Sequence, residues 1–445
     1  MSTGSNTSMP GLDAELTSFV TAHAGAIRSA SRADSGASRI TWLLDCERMP
    51  CVLRVDPGDG PVAGTTLNLA REAVAYRALA DRNVRIPRLH GEHPRALLME
   101  RAGGEARLDA LDDAVRIAVM DDYVDALAEL HRVRVDSAFD ALEPPSTPAA
   151  AAHQVVGLWA DILRTRVTRP SPLAAMAIRW LHRLAPDSAE RLVVCHGDVG
   201  PGNFMHDGAR VTAMLDWEFV HVGDPMDDLA WLAFRGHHFS GGLGDFEHQL
   251  ARWEKQTGYA VDRRRIAYYR IVVMTIWLVS CLAALDNGAR NQDRFTYLNL
   301  IDLLGAILPR AMLEYEHREV PDLPVSLQPR ESELTENLRA LFDLQQLRLR
   351  EDDPVRFQLA LMTSQVLELA RVGEDISRQN AEAVSSLTGM RADARDYPLV
   401  LQRWIETESG DETRALQVIM ANGLRRVQAS PAVLPVSQKP FLPLE

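Results

Sequence analysis

Three polar side chains stand close together in one segment, VVCHGDVGPGNFMHDGARVTAMLDWEF, residues 193–219. Asp198 follows an apolar run and opens a turn rich in Gly and Pro. Asn203 comes five residues later, past Gly200-Pro201-Gly202, and Asp216 ends the next apolar run. A hairpin-like arrangement would bring all three to one edge. One carboxylate can accept the proton of an attacking hydroxyl or orient it. An amide oxygen and a second carboxylate can hold Mg²⁺ against nucleotide phosphates, which is the set phosphoryl transfer needs. Mg²⁺ takes a few hard oxygens and completes its shell with water and phosphate, so a small constellation suffices.

The elements that must position these residues are short. Leu192–Cys195 and Val211–Leu215 read as strands, each running into a polar cluster. Upstream, residues 12–30 read as a short helix. SRITWLLDC (38–46) and PCVLRVD (50–56) read as two strands separated by the turn-like ERMP. Both carry β-branched or aromatic residues. Thr66–Ala80 has helical apolar spacing, and Ala96–Met99 reads as a strand. From about 105 to 315 the pattern is mainly helical, with amphipathic stretches at Val115–Val133 and Leu173–Leu184. Three prolines in 319–330 mark a linker. Beyond it, Leu334, Leu338, Leu341 and Leu344 share one helical face. Asp353-Pro354 reads as a helix start and Gly373 as its stop. Tyr397–Glu408 and Glu412–Val427 supply further helix, and the tail from Pro431 reads as irregular.

Composition narrows the classes. The chain has 445 residues and a formal net charge of −13, which argues against a nucleic-acid backbone as partner. Cys46, Cys51, Cys195 and Cys281 form no C-x-x-C pair and fit reduced thiols in a cytoplasmic protein. MSTGSNTSMPGLD has neither the basic nor the apolar region of a signal peptide. The longest uncharged apolar run, Ile271 to Leu285, is shorter than the ~18–20 residues that span a bilayer and reads as a buried core helix. His131, His206 and His221 lack metal-ligand spacing. Asp224 and Asp228 in GDPMDDLAW are expected to cap a helix or brace the catalytic loop.

The spaced set His196-Gly197-Asp198, Asn203 and Asp216-Trp217-Glu218 resembles the signature of aminoglycoside phosphotransferase-like kinases, relatives of the protein-kinase fold. The resemblance runs over roughly 12–315. IRWLHRLAP and GDPMDDLAW make it most similar to the branch fused to acyl-CoA dehydrogenases. It implies an α+β, bilobal kinase-like fold. The β-rich N-lobe would span 12–101 and the helical C-lobe 102–318. A linker (319–330), a small all-α domain of unknown function (331–430) and an irregular tail (431–445) would follow.

By the same resemblance Asp198 is the catalytic base, Asn203 and Asp216 are the Mg²⁺ ligands, and His196 supports the loop. Gly36 and Ser38 would lie in the phosphate-covering loop. Arg54 stands where lysine is usual for nucleotide phosphate, and Glu72 is its helix partner. Glu100 and Arg101 would form the adenine-binding hinge, and Arg39 stands where many members have asparagine. The role of Glu218 is left open. The resemblance implies ATP and Mg²⁺ as cofactors and a hydroxyl-bearing small molecule as substrate, a hydroxyacyl-CoA or hydroxy acid. An aminoglycoside or other antibiotic is the alternative substrate. A non-catalytic nucleotide-binding scaffold is the alternative of another class.

Overall fold

The computed structural model describes residues 12–33, 39–187, 191–239, 244–288, 291–323, 325–329, 333–346, 354–407, 411–430, 433–439 and 441. Gly36 and Ser38, the expected phosphate-loop residues, and Asp353, the expected helix cap, lie outside them.

The chain opens with α1 (Ala14–Ala24), started by Asp13, whose carboxylate accepts from the Leu16 amide. The expected helix over 12–30 ends here. Gly25 takes a positive φ of 82°, and Ile27–Arg32 forms β1. Five strands then make one antiparallel sheet in the order β1-β2-β3-β5-β4. The other members are β2 (Ile40–Cys46), β3 (Pro50–Val55), β4 (Leu89–His93) and β5 (Ala96–Glu100). Alternation divides the sheet. Trp42, Leu44, Cys51 and Leu53 pack on Leu16, Val20 and Ala24 of α1, which leaves Thr41, Leu43, Val52 and Arg54 free to line a cleft. α2 (Leu69–Leu79) begins at Asn68, whose side chain caps the Arg71 amide. β4 escaped the sequence reading because LHGEH is polar and lies at the sheet edge, where one neighbour suffices.

α3 (Asp113–His131), α4 (Pro148–Arg166) and α5 (Pro172–Arg183) follow. The next strands are short. β6 (Val193–Cys195) pairs with β9 (His221–Gly223), and β7 (Phe204–Asp207) forms a hairpin with β8 (Arg210–Met214). The ends of β6 and β8 meet where His196, just past β6, bonds the Leu215 carbonyl just past β8 (2.8 Å). α6 (Pro225–Trp231) starts at Asp224, which caps the Met226 amide, and passes into a π-helical stretch over Leu232–Phe239. α7 (Phe246–Thr257), α8 (Arg263–Asp286) and α9 (Asn291–Tyr315) complete this part.

α8 and α9 are long and apolar enough by composition to cross a bilayer, but 83% and 61% of their most apolar windows are buried inside the protein. The Ile271–Leu285 run thus sits in a longer, mostly buried helix.

The remaining helices are α10 (Glu333–Gln346), α11 (Pro354–Thr388), α12 (Tyr397–Thr407), α13 (Glu412–Gln428) and the short α14 (Leu434–Ser437). Gly373 does not stop a helix: α11 runs through it. A helical glycine costs only about 1 kcal/mol, too little to break a helix packed through Val372 and Ile376. The tail from 431 likewise contains α14.

Two compact units emerge. One comprises 1–157, 186–270 and 444–445; the other comprises 158–185 and 271–443. These units divide the chain at other places than the proline-rich 319–330 stretch.

Candidate active site

The loop that carries Asp198 leaves β6 at Cys195. His196 is buried and fixes the start of the loop. The Asp198 amide donates to its Nδ1 (3.2 Å), so its Nε2 carries the proton and donates to the Leu215 carbonyl (2.8 Å). Burial pushes the imidazole pKa down, in keeping with this neutral tautomer. One ring thus ties the Asp198 backbone to the residue before Asp216. Trp217 packs at 4.6 Å between ring centroids behind it. Gly197 has φ +81°, and a Cβ there would lie 2.3 Å from the Phe219 carbonyl oxygen. Only glycine permits that approach.

Asp198 is held from several sides. Asn203 Nδ2 donates to its Oδ2 (2.6 Å) and to its carbonyl (2.8 Å). Arg235 Nη1 stands 2.6 Å from Oδ1. Burial pushes the Asp198 carboxyl up; Arg235 opposes that, and Asp216 adds to it. Since Nδ2 of Asn203 serves Asp198, its amide oxygen is the atom suited to a cation. Asp216 sits just past β8 in the left-handed region, φ +65°, a conformation that aspartate tolerates better than most residues.

Arg54 reaches this carboxylate from the sheet. It lies on β3, opposite Thr41 of β2 and Leu97 of β5. Its Nη2 pairs with Asp216 Oδ1 and lies 3.7 Å from Glu218 Oε2. Its Nε is 3.1 Å from Oε1 of Glu72, which is completely buried on α2. That last pair is an ion contact with the N–H not aimed at the oxygen. Burial works against the Arg54 charge, yet Asp216, Glu72 and Glu218 together hold its pKa far above normal. Burial pushes the Glu72 carboxyl up, with Arg54 opposing. Arg54 is therefore a permanent cation shared by three carboxylates.

The cleft has a volume of about 650 Å³. Asn203, Asp216, Arg54, Glu100 and Arg101 border it, while Asp198 and Glu72 do not. Glu100 turns its carboxylate to the Arg88 amide (3.1 Å), and Arg101 pairs with Asp45 (3.2 Å). Arg39, Tyr76 and Arg235 also border the cleft. Arg39 is buried, bonded to the Leu67 carbonyl (3.1 Å) and paired with Asp56 (3.3 Å).

Among the described residues no three His, Cys, Asp or Glu side chains cluster as a metal cage. One amide and one carboxylate facing a cleft suit Mg²⁺, which draws its other ligands from water and phosphate.

Two further aspartates brace the loop. Asp228, fully buried on α6, accepts from the His196 amide (2.7 Å), the Gly197 amide (2.8 Å) and His131 Nε2 (3.0 Å). Trp253 Nε1 donates to His131 Nδ1 (3.0 Å), so His131 is neutral with its proton on Nε2. Burial opposes ionisation of Asp228, but the hydrogen bonds it accepts from His131 and the Gly197 amide favour it, and the carboxyl is held below its usual range. Asp224 caps α6 and meets Arg265 at 2.9 Å. Cys195 is fully buried and its thiol pKa is pushed well up by burial; it is no nucleophile. Arg235 was missed in the sequence, although it is the only charged residue in LAWLAFRG.

A five-stranded sheet carrying Arg54, a helix glutamate behind it, and a short-stranded hairpin presenting Asp198, Asn203 and Asp216 define a kinase-like phosphotransferase fold. The chain belongs to the phosphotransferase enzyme family, whose model matches residues 29–269.

Its relatives reflect both branches expected from the sequence. Acyl-CoA dehydrogenase family member 11 of Rattus norvegicus is 27% identical over 221 residues, 47% of this chain and 28% of that protein. The chain thus corresponds to less than a third of that relative's length. Aminoglycoside 3'-phosphotransferase of Streptomyces fradiae is 26% identical over 179 residues, covering 40% of this chain and 66% of that one. Among solved structures, a Ralstonia eutropha protein assigned to the aminoglycoside phosphotransferases matches with TM-score 0.51 at 21% identity. The match covers 68% of this chain and 98% of the other, and shows the shared fold.

Proposed function

We propose that the protein transfers the γ-phosphoryl group of ATP to a hydroxyl group of a small molecule. The observation that carries this reading is that Asn203, Asp216 and Arg54 border one cleft, with Asn203 bonded to Asp198 and Arg54 paired with Asp216, in a chain of the phosphotransferase family.

ATP is taken to occupy the cleft, with its base against the Glu100–Arg101 segment and its phosphates toward Arg54 and Asp216. Asn203 and Asp216 would hold Mg²⁺, which supplies neutralisation of phosphate charge. Asp198 accepts the acceptor's proton or orients its hydroxyl. Two neighbours fix its carboxylate, so the oxygen is already aimed when the acceptor arrives. Glu72 keeps Arg54 extended, and Arg54 can exchange its contact with Asp216 for phosphate oxygens, which its planar fork suits. His196 and Asp228 keep the loop rigid and take no part in the transfer. Catalysis is then positioning and charge stabilisation.

The acyl-CoA dehydrogenase relatives support a hydroxyacyl-CoA or hydroxy acid as acceptor. The Streptomyces fradiae relative supports an aminoglycoside or other antibiotic equally. Release of ADP across both panels discriminates between them. Four free, buried cysteines support a cytoplasmic setting. We take 12–101 and 102–318 as the two kinase lobes and 331–430 as an added helical domain. Asp198→Ala is expected to abolish ATP-dependent phosphorylation while leaving the fold intact. Wild-type turnover in that variant would refute the assignment. Nucleotide binding without ADP release on any acceptor would favour a scaffold instead.

A further inference from the structure

We infer that Arg235 is a positioning residue for the transfer, holding the Asp198 carboxylate and the 198–201 backbone in one fork; this rests on the kinase reading above.

Arg235 rises from the π-helical stretch Leu232–Phe239 that continues α6. Its Nη1 pairs with Asp198 Oδ1 at 2.6 Å and donates to the Asp198 carbonyl at 3.0 Å. Its Nη2 donates to the Pro201 carbonyl at 3.0 Å. The side chain is 18% exposed and borders the cleft. Its stem lies flat on Gly200: a Cβ there would stand 2.7 Å from Arg235 Cβ. Gly200 has φ +155° and its amide donates to the buried Tyr123 hydroxyl (3.2 Å). Arginine and glycine are therefore packed as a matched pair.

The two Asp198 oxygens have separate partners, Arg235 on Oδ1 and Asn203 on Oδ2. Asn203 is also a proposed Mg²⁺ ligand, so its orientation answers to two demands. Arg235 supplies the restraint that is independent of the metal site. The carrier helix explains the rigidity. Asp228 on α6 grips the loop at His196 and Gly197. Arg235, seven residues further along the same helical run, grips it at Asp198 and Pro201. Side chains mounted on a packed helix hold a catalytic group more closely than loop residues can. π-helical turns recur at functional sites, and Arg235 lies in one. Lysine could keep the charge, but not the three-point fork.

The test uses the full chain as Arg235→Gln and Arg235→Lys, with Asp198→Ala as the benchmark. Arg235→Gln is expected to lower kcat about 10²-fold, the scale of a ~1 Å misplacement, with KM for MgATP changed less than about threefold. Affinity for Mg·AMP-PNP by calorimetry should stay close to wild type, and Arg235→Lys should recover part of kcat. Independently of turnover, hydrogen exchange at the Gly200 and Asn203 amides should speed up about tenfold, while α3 amides around Val124 stay protected. Retained kcat together with unchanged exchange at Gly200 and Asn203 overturns the proposal. Equal loss of nucleotide affinity and α3 protection also overturns it, since the role would then be structural. If Asp198→Ala remains active, the kinase reading fails, and loop exchange alone decides whether Arg235 holds the loop. If Arg235→Gln does not fold, exchange in Arg235→Lys decides: faster exchange at Gly200 supports the fork, and wild-type protection refutes it.

Discussion

Asp228→Asn should destabilise the kinase unit by about 3–5 kcal/mol, because a buried carboxylate with three donors cannot be replaced by an amide. Oδ1 accepts from the Gly197 amide; Oδ2 accepts from the His196 amide and His131 Nε2. In the best orientation the new NH₂ faces Gly197 alone. One buried N–H is then left unsatisfied, at about 1–3 kcal/mol, and two charge-assisted bonds become neutral, at about 1 kcal/mol each. Relief from burying the charge offsets little, since the network holds Asp228 ionised more easily than water does. For a cooperative unit of roughly 150–250 residues, 1 kcal/mol is about 2–4 °C, so Tm should fall by about 6–20 °C at pH 7. Differential scanning calorimetry measures this directly. The pH dependence supplies a second constraint. A carboxyl pKa lowered by folding stabilises above its unfolded value and loses that contribution as pH falls through the folded one. The gap between wild type and variant should therefore shrink below about pH 4. A Tm within about 2 °C of wild type at pH 7, or a gap that persists unchanged to pH 3, would refute the reasoning.

Two other substitutions test the surrounding structure. Burial pushes the Asp224 carboxyl up to about 6, despite Arg265; a raised pKa contributes stability below its unfolded value and loses it as pH rises through 6. Asp224→Asn keeps the cap on Met226 and removes that titration. Its stability relative to wild type should rise by about 2 kcal/mol between pH 4 and pH 6.5 in urea unfolding, and a flat difference would contradict the assignment. In the second unit α9 crosses α13 at Gly305 and Gly423. A Cβ on Gly423 would stand 2.1 Å from the Gly305 carbonyl carbon, whereas one on Gly305 would stand 3.3 Å from Gly423 Cα. Gly423→Ala should cost at least about 1–3 kcal/mol, and clearly more than Gly305→Ala, in thermal unfolding; equal effects would show that the crossing is not set by that contact.

The main features of the catalytic segment were legible because they are local. Asp198 and Asn203 are five residues apart on one turn, and β6 and β8 were read as strands, whereas their partners β9 and β7 were not. The helix over Leu69–Leu79 and strands β2, β3 and β5 were legible for the same reason. β1 was misread because its residues follow a real helix without a proline, and because its strand state depends on β2 beside it. β4 is a polar edge strand with β5 as its sheet neighbour.

The sequence by itself determined the family and singled out Asp198, Asn203 and Asp216 as the groups proposed to carry the reaction. The tertiary structure decided how those groups are held. Arg54 meets Asp216 across 162 residues of chain, and Arg235 meets Asp198 across 37. No periodicity encodes those pairings. They follow from how the sheet and α6 pack around the catalytic loop, and a buried guanidinium takes whichever carboxylates that packing brings to it.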